Sequence, residues 1–430
     1  MNFTGKEIKM KKEWIWILAL CLVLLLVVAG IEWLKSAGTT EKAAGKPYAI
    51  VTTFKEDAAT SRAFTWFTDN PQAGTVIEWI EGMDAAKLSG EGEGAQVSRL
   101  EGKTSTLDTG NGAVRGGHKL ELTGLSPGTA YTYRVGDGSE SGWSEAFHFM
   151  TQAQAADPFT FINVTDSQGV TEQDFELWGN TLDQAFSTFP GAQFIVHNGD
   201  LTENPDDEIA WQNFFGKAQQ WVTRFPLMPV TGNHDEVDNN ADEFVAHFNL
   251  PANGADGSIE GTTYSYDYGS AHFIMLNTES NKKEQTKWLE KDLAATDKRW
   301  IIVSVHRGPY AGNQYEKIDD WVKLFDKYRV DLVLQGHNHE YARSYPLKDG
   351  KVTGDGDGVI STSSGTVYVV TNAAGQKFNE MKEDQFYHKV HFQNNKQMFA
   401  GITIEGDKLT YEAYDVDGNK LDAFVLQSEK

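Results

Sequence analysis

Five short strings in the back half of the chain limit what it can fold into. They are Asp166-Ser167-Gln168, Gly199-Asp200, Gly232-Asn233-His234-Asp235, Val305-His306 and Gly336-His337-Asn338-His339. Four of them lie at the end of an apolar run that reads as a β-strand: FINVT, FIVHN, WIIVSV and DLVLQ. The other, GNHD, follows the shorter run PLMPVT. Strands that deliver Asp, Asn and His at their C-terminal ends build a site at one edge of a sheet. Carboxylate, amide and imidazole donors, with no thiolate, suit hard-to-borderline divalent metals. The glycines before Asp200, Asn233 and His337 are read as letting each strand end turn sharply, so that the next side chain enters the site.

The rest of the chain is read around that site. From Phe159 onward, strand-like runs alternate with helical stretches at Glu172–Thr188, Glu208–Val222, Lys282–Leu293 and Tyr315–Tyr328. That order implies an α/β region, residues 159–430, with its sheet covered by helices on both faces. Late strands follow in TVYVVTN, MFAGITIEG, KLTYEAYD and AFVLQ, with hairpin turns at Gly406-Asp407 and Asp417-Gly418. The Gly/Asp/Ser-rich stretch Gly354–Ser364 reads as a surface loop. An EF-hand count from Asp355 puts Thr366 where the twelfth-position Glu is needed. Residues 47–151 differ: short alternating runs such as RAFTWFT and AYTYRVG, separated by turn signals, read as an antiparallel β-sandwich. Residues 35–46 and 152–158 are small, polar linkers.

Residues 1–34 carry a targeting signal. Lys6, Lys9, Lys11 and Lys12 precede a run from Trp14 to Ile31 that lacks any charge, long enough to cross a hydrocarbon core as a helix. The basic flank places that side in the cytoplasm. An uncleaved single-pass anchor is the first reading. A cleaved signal peptide, with a cut near Ala37-Gly38, is the second. Leu18-Ala19-Leu20-Cys21 is only a loose lipoprotein box. Each puts the bulk of the chain outside the cytoplasm, at the cell membrane or secreted. Cys21 is the one cysteine, so neither an intramolecular disulfide nor a thiol nucleophile is available. A formal charge of −23 argues against nucleic-acid binding.

Together, in this order, the five strings resemble the calcineurin-like metallophosphoesterases, and within them the purple acid phosphatase branch. The segment from His118 to Gly136 resembles the fibronectin type III-like domain that precedes the catalytic domain in that branch. The resemblance implies an αββα two-sheet sandwich and two divalent ions, Fe, Mn or Zn, that activate a hydroxide against a phosphate-ester substrate. It implies that Asp200 bridges the ions, that Asp166 and His339 hold the first, and that Asn233, His306 and His337 hold the second. It makes His234 a catalytic group near the substrate rather than a ligand, with Asp235 orienting the His234 imidazole. His197, His118 and His148 are read as packed or surface residues. His247, His272, His388 and His391 have no motif context and are read as surface or core, with His388 or His391 left open as cleft-lining positions.

The chain departs from its relatives at two positions. Metallophosphoesterases carry His two positions after the first Asp, where this chain has Gln168. Purple acid phosphatases carry Tyr three positions after the bridging Asp, where this chain has Glu203. Gln168 and Glu203 therefore stand as further candidate ligands, and the tyrosinate colour of that branch is not expected. The reading is an extracytoplasmic, membrane-tethered phosphoesterase, of mono- or diesters. The alternative is a cell-surface binding protein whose β-sandwich docks a partner and whose metal site is structural or inactive.

Overall fold

Alternation along the strands sets which way each sheet faces. In the strand Trp300–Arg307, Ile302 points to one core, while Ile301, Val303 and Val305 point to another. A strand that is buried on both faces belongs inside a layered α/β structure. The computed structural model describes residues 45–89, 96–108, 113–155 and 157–430. The expected anchor or signal segment, and nearly all of the 35–46 spacer, lie outside the described residues. Among the described residues, no helix is long and apolar enough to cross a membrane.

Two seven-stranded sheets form the α/β region. In the first, the strands Leu227–Pro229, Ala192–His197 and Phe159–Val164 run parallel and adjacent. The antiparallel strand Met398–Glu405 lies on the far side of Phe159–Val164, followed by Lys408–Asp415 and Lys420–Gln427. In the second sheet, Ala271–Leu276, Trp300–Arg307, Leu332–Gly336 and Val367–Thr371 run parallel. Helices Glu172–Thr188 and Glu208–Val222 share the core of the first sheet through Phe175, Trp178, Trp211 and Phe214. Helices Lys282–Ala295 and Asp319–Tyr328 cover the second through Leu289, Trp321 and Phe325. The expected single helix from Tyr315 is in fact a 3-10 turn at Glu316–Ile318 followed by the helix from Asp319. A short helix, Asp242–His247, has too few turns to leave a periodic signal. Within the expected loop 354–364, Val359–Ser361 is an edge strand beside Lys420–Gln427.

The described residues of 47–151 form two four-stranded antiparallel sheets around Phe64, Trp66, Ile77, Tyr133 and Phe149. Tyr131 accepts a hydrogen bond from the Ser126 amide at 2.9 Å, a tyrosine-corner contact that ties one strand to the preceding turn. His118 is a packed residue, held between the Thr68 and Thr75 hydroxyls at 2.9 and 2.7 Å. One outer face of this sandwich is not left to solvent. Val51, Phe54 and Phe67 belong to the same core as Trp211, Phe215 and Phe248 of the α/β region.

One ion cluster at the sheet edge gives a pH-dependent prediction. His272 lies opposite Asp267 on the neighbouring strand and beneath Asp292 of the helix Lys282–Ala295, at 2.7 and 2.8 Å. Burial opposes its charge, but the two carboxylates outweigh burial and hold the imidazolium up to about 9. The unfolded value is about 6.5. The stabilisation is therefore complete below the unfolded value and is lost as pH rises through the folded one. The difference in unfolding free energy between the wild type and His272→Gln should shrink by about 2–3 kcal/mol between pH ~6 and pH ~10. Denaturant titrations at several pH values measure it, and a pH-independent difference would refute the assignment.

Candidate metal centre

The C-terminal ends of five parallel strands meet at one place. Asp166, Asp200 and Asn233 leave three adjacent strands of the first sheet. His306, His337 and His339 leave two adjacent strands of the second. The backbone bends hard there. Asp166, Asp200, His337 and His339 all have positive φ, between 51° and 73°, a conformation that L-residues hold only when their surroundings impose it. The glycines divide the work differently from the expected sharp turn at each. Only Gly199 has a positive φ, 93°. Gly336 instead allows close approach: a Cβ there would lie 2.2 Å from Thr165 Oγ1 and 3.0 Å from Asp166 Oδ2.

A buried polar belt locks the two sheets together behind the site. Asn198 accepts from Asn163 at 3.1 Å and from Ser304 at 2.8 Å, and donates to the Gln335 carbonyl at 3.2 Å. Its own carbonyl accepts from His306 Nδ1 at 2.9 Å, which leaves Nε2 facing the site. His339 is fixed in the same way, with Nδ1 on the Lys377 carbonyl at 2.7 Å and Nε2 3.2 Å from Asp166 Oδ1.

The donors fall into two groups that share one residue. Asp166, Asp200 and His339 place their ligand atoms within 4.8 Å of one another, and so do Asp200, His306 and His337. Asp200 Oδ2 lies 3.0 Å from His306 Nε2, and Asn233 Oδ1 lies 3.2 Å from the same nitrogen. Burial would push the Asp200 carboxyl up, but the imidazole of His306 beside it holds it below the usual carboxylate range. Burial pushes His337 down to about 3, helped by the positive His306 and Arg307. Arg307 donates to its Nε2 at 2.7 Å. Two groups joined by a shared carboxylate are the donor arrangement that a pair of divalent cations needs.

Gln168 strengthens the fit. Its side chain is buried and lines the same cleft of ≈ 290 Å³ as Asp200, Asn233, His234, His337 and His339. Neither its amide oxygen nor its nitrogen has a hydrogen-bond partner. A buried amide left unpaired is costly unless another group meets it, and the oxygen is a donor that a cation can use. Glu203, the other candidate, corrects the expectation. It joins neither group. Its peptide oxygen accepts from His234 Nδ1 at 2.7 Å, and its carboxylate Oε1 lies 3.8 Å from the same nitrogen and 3.7 Å from Lys377 Nζ.

Asp235 requires a second correction. It does not touch the His234 imidazole. Its carboxylate accepts instead from three backbone amides, those of Gly232, Asp200 and Leu201, at 2.8, 2.7 and 3.0 Å. It pins together the two loops that carry Asp200 and Asn233, so its role is to position ligands. Burial, and next the Asp200 charge, raise its carboxyl to about 7. His197 is a buried strand residue, bonded to Ser167 Oγ and the Gly199 amide.

Several groups at the site were not found by reading strand ends. Lys377, Asn379 and Lys382 form one wall of the cleft, with Asn313 and Asn338. Asn198 and Thr165, whose hydroxyl donates to Asp166 Oδ2 at 2.6 Å, directly precede motif residues. The lysine wall comes from a segment without periodicity, and no pattern marks it.

Comparison with known proteins agrees with this geometry. The calcineurin-like phosphoesterase family matches residues 159–341, and the purple acid phosphatase N-terminal domain matches residues 47–151. Acid phosphatase type 7 from Mus musculus and from Homo sapiens are 28% and 29% identical over 295 residues, 60% of this chain and 64% of each relative. The chain thus spans slightly less than two thirds of those relatives' length. A protein named probable inactive purple acid phosphatase 24, from Arabidopsis thaliana, is 27% identical over 301 residues, 60% of this chain and 48% of the relative. In fold, the chain is similar to a purple acid phosphatase isolated from yellow lupin (Lupinus luteus) seeds. The TM-score is 0.75 at 20% identity, over 89% of this chain and 74% of that one. The chain is thereby identified as a calcineurin-like metallophosphoesterase domain preceded by a purple acid phosphatase N-terminal domain.

Proposed function

We propose that this protein is an extracytoplasmic phosphoesterase that holds two divalent ions, drawn from Fe, Mn and Zn, in its cleft. The observation that carries the reading is the sharing of Asp200 by the Asp166/His339 and His306/His337 groups. Ions held there would neutralise phosphate oxygens and acidify water. The chain's own side chains do the rest. Lys377 and Lys382 set positive charge along the cleft wall, where an anionic ester enters. His234 donates from Nδ1 to the Glu203 carbonyl, which fixes the ring and leaves Nε2 free to give a proton to the leaving oxygen. Asn338 and Asn379 offer neutral donors beside it. The basic flank and apolar run of residues 6–31 support a location outside the cytoplasm, tethered or released by cleavage.

A second reading keeps a metal site but no turnover, in a surface-binding protein. The name of the Arabidopsis relative and the weak donor at Gln168 favour it. Assays of the full chain on an aryl phosphomonoester and an aryl phosphodiester, with and without added Mn²⁺, Zn²⁺ or Fe²⁺, separate the two. Metal-dependent turnover supports the phosphoesterase. Tight metal binding without turnover on either ester supports the binding protein.

Gln168 also predicts unequal metal affinity. A neutral amide holds a divalent ion more weakly than an imidazole does. One ion should leave first on mild chelation. Gln168→His should tighten that ion by roughly tenfold or more, the scale of losing or gaining one well-oriented contact. Calorimetric titration would show two steps in the wild type drawing together in the variant. Two ions of equal affinity in the wild type would refute this account of the first site.

A further inference from the structure

A second set of metal donors lies outside the cleft. The strand His388–Phe392 pairs with Tyr341–Ser344 in broken register, with Ser344 opposite His388, Arg343 opposite Val390 and Ala342 opposite His391. Lys389 is the extra residue of a β-bulge. Residues three apart on a regular strand face opposite sides. The bulge cancels that offset and brings the His388 and His391 rings together, with centroids 4.0 Å apart. Asp384 then closes the group. Its Oδ1 lies 2.7 Å from His391 Nδ1 and 3.9 Å from His388 Nδ1. All three ligand atoms lie within 4.8 Å of one another.

The far nitrogen of His388 is fixed from behind, and that of His391 lies near a buried carboxylate. His388 Nε2 donates to the Ala311 carbonyl at 2.8 Å. His391 Nε2 lies 3.2 Å from Oε2 of Glu340, which is fully buried. The acceptor behind His388 turns its other nitrogen forward, as around most histidine-bound metals. The His388 and His391 side chains are 3% and 2% exposed, whereas Asp384 is 75% exposed, so the group has an open side. Two polar atoms here have no hydrogen-bond partner, His391 Nε2 and Glu340 Oε1. On the other side, the Gln385 amide contacts His388 Nδ1 at 3.1 Å, a contact that a cation would replace.

We propose that Asp384, His388 and His391 form a separate divalent-cation site, for zinc by its donor set of two imidazoles and one carboxylate. Its place suggests its purpose. Glu340 follows the candidate ligand His339, and it accepts from the Lys382 amide at 2.8 Å. Lys382 and Asn379 line the cleft. An ion at this site fastens the segment from 377 to 393, and with it the lysine wall. The inference rests on none of the cleft donors and stands whether or not the cleft hydrolyses esters. The competing arrangement is an imidazolium of His391 held between Asp384 and Glu340, with no metal.

The test is zinc binding by the full chain. Equilibrium dialysis against buffered Zn²⁺ should give one more equivalent for the wild type than for Asp384→Ala. Asp384 is exposed, and its removal should leave thermal unfolding in chelator unchanged. His388→Gln should lose the same equivalent. In Asp166→Asn/Asp200→Asn, which disables the cleft, the equivalent should remain and should vanish on adding Asp384→Ala. Zinc should also slow amide exchange across residues 377–393 in that cleft-disabled chain, and not once Asp384→Ala is added. Equal zinc stoichiometry and affinity with and without Asp384→Ala and His388→Gln would overturn the site in favour of the imidazolium pair.

Discussion

Asp200→Asn should abolish most phosphoesterase turnover and release metal, while leaving the chain folded. The substitution keeps the shape, and its amide oxygen still accepts from the His234 backbone amide, which now bonds Oδ1 at 2.8 Å. What it removes is the one negative charge that both donor groups share. Several kcal/mol of charge stabilisation rest on a metal pair of this kind. The loss in turnover should therefore be on the order of 10³-fold or more. Elemental analysis should find fewer ions per chain than in the wild type. In chelator, the variant should unfold below the wild-type temperature, because Asp200 is paired with the buried His306 and its depressed carboxyl marks a charge that the fold stabilises. A variant that retains both ions and near wild-type turnover would remove the basis for the paired site.

His234→Ala should give the opposite pattern in metal content, with a comparable loss of rate. His234 belongs to neither donor group, and its Nδ1 is engaged by the Glu203 carbonyl. Both ions should stay. Turnover should fall roughly 10²–10⁴-fold, the usual range for a general acid or a charge-stabilising contact. The two roles differ in leaving-group dependence. If His234 delivers a proton, esters with acidic leaving groups should suffer least. If it stabilises charge on the phosphoryl oxygens, good and poor leaving groups should suffer alike. Loss of an ion along with the ring would show instead that His234 is a ligand, and would refute its assignment here.

The sequence marks the six principal donors because each is local: a polar residue placed where an apolar strand stops. Asp166, Asp200, His306, His337 and His339 need only that rule, and Asn233 needs it together with the string around it. Asp235 shows where the rule fails. Beside a histidine, a carboxylate suggests an imidazole partner. Its actual partners are three main-chain amides, two of them on a neighbouring loop, and nothing in the order of residues announces that. Glu203 fails similarly, because the turn after Asp200 uses its carbonyl and sends its carboxylate toward His234 and Lys377 rather than into either donor group. Lys377 and Lys382 come from a stretch with neither a period of 2 nor a period of 3.6. The pairing of His388 with His391 depends on a single inserted residue in a strand register, visible only once the neighbouring strand is known. The broad architecture was more legible, since the alternation of helices and strands follows directly from where apolar residues fall.

The strand Phe159–Val164, which leads into Asp166, lies between Ala192–His197 and Met398–Glu405. One neighbour is made almost at once, and the other very late. During synthesis, which runs N-terminus first, the Asp166 loop therefore has only half its support until the chain has grown past Glu405. His306, His337 and His339 are made in the interval, on a sheet that does not need those late residues for its parallel strands. The first donor to be synthesised is thus among the last to be held in place. Under the proposed two-ion reading, metal loading on this fold would be a final step of maturation, after the polypeptide is made and in whatever compartment the finished chain then occupies.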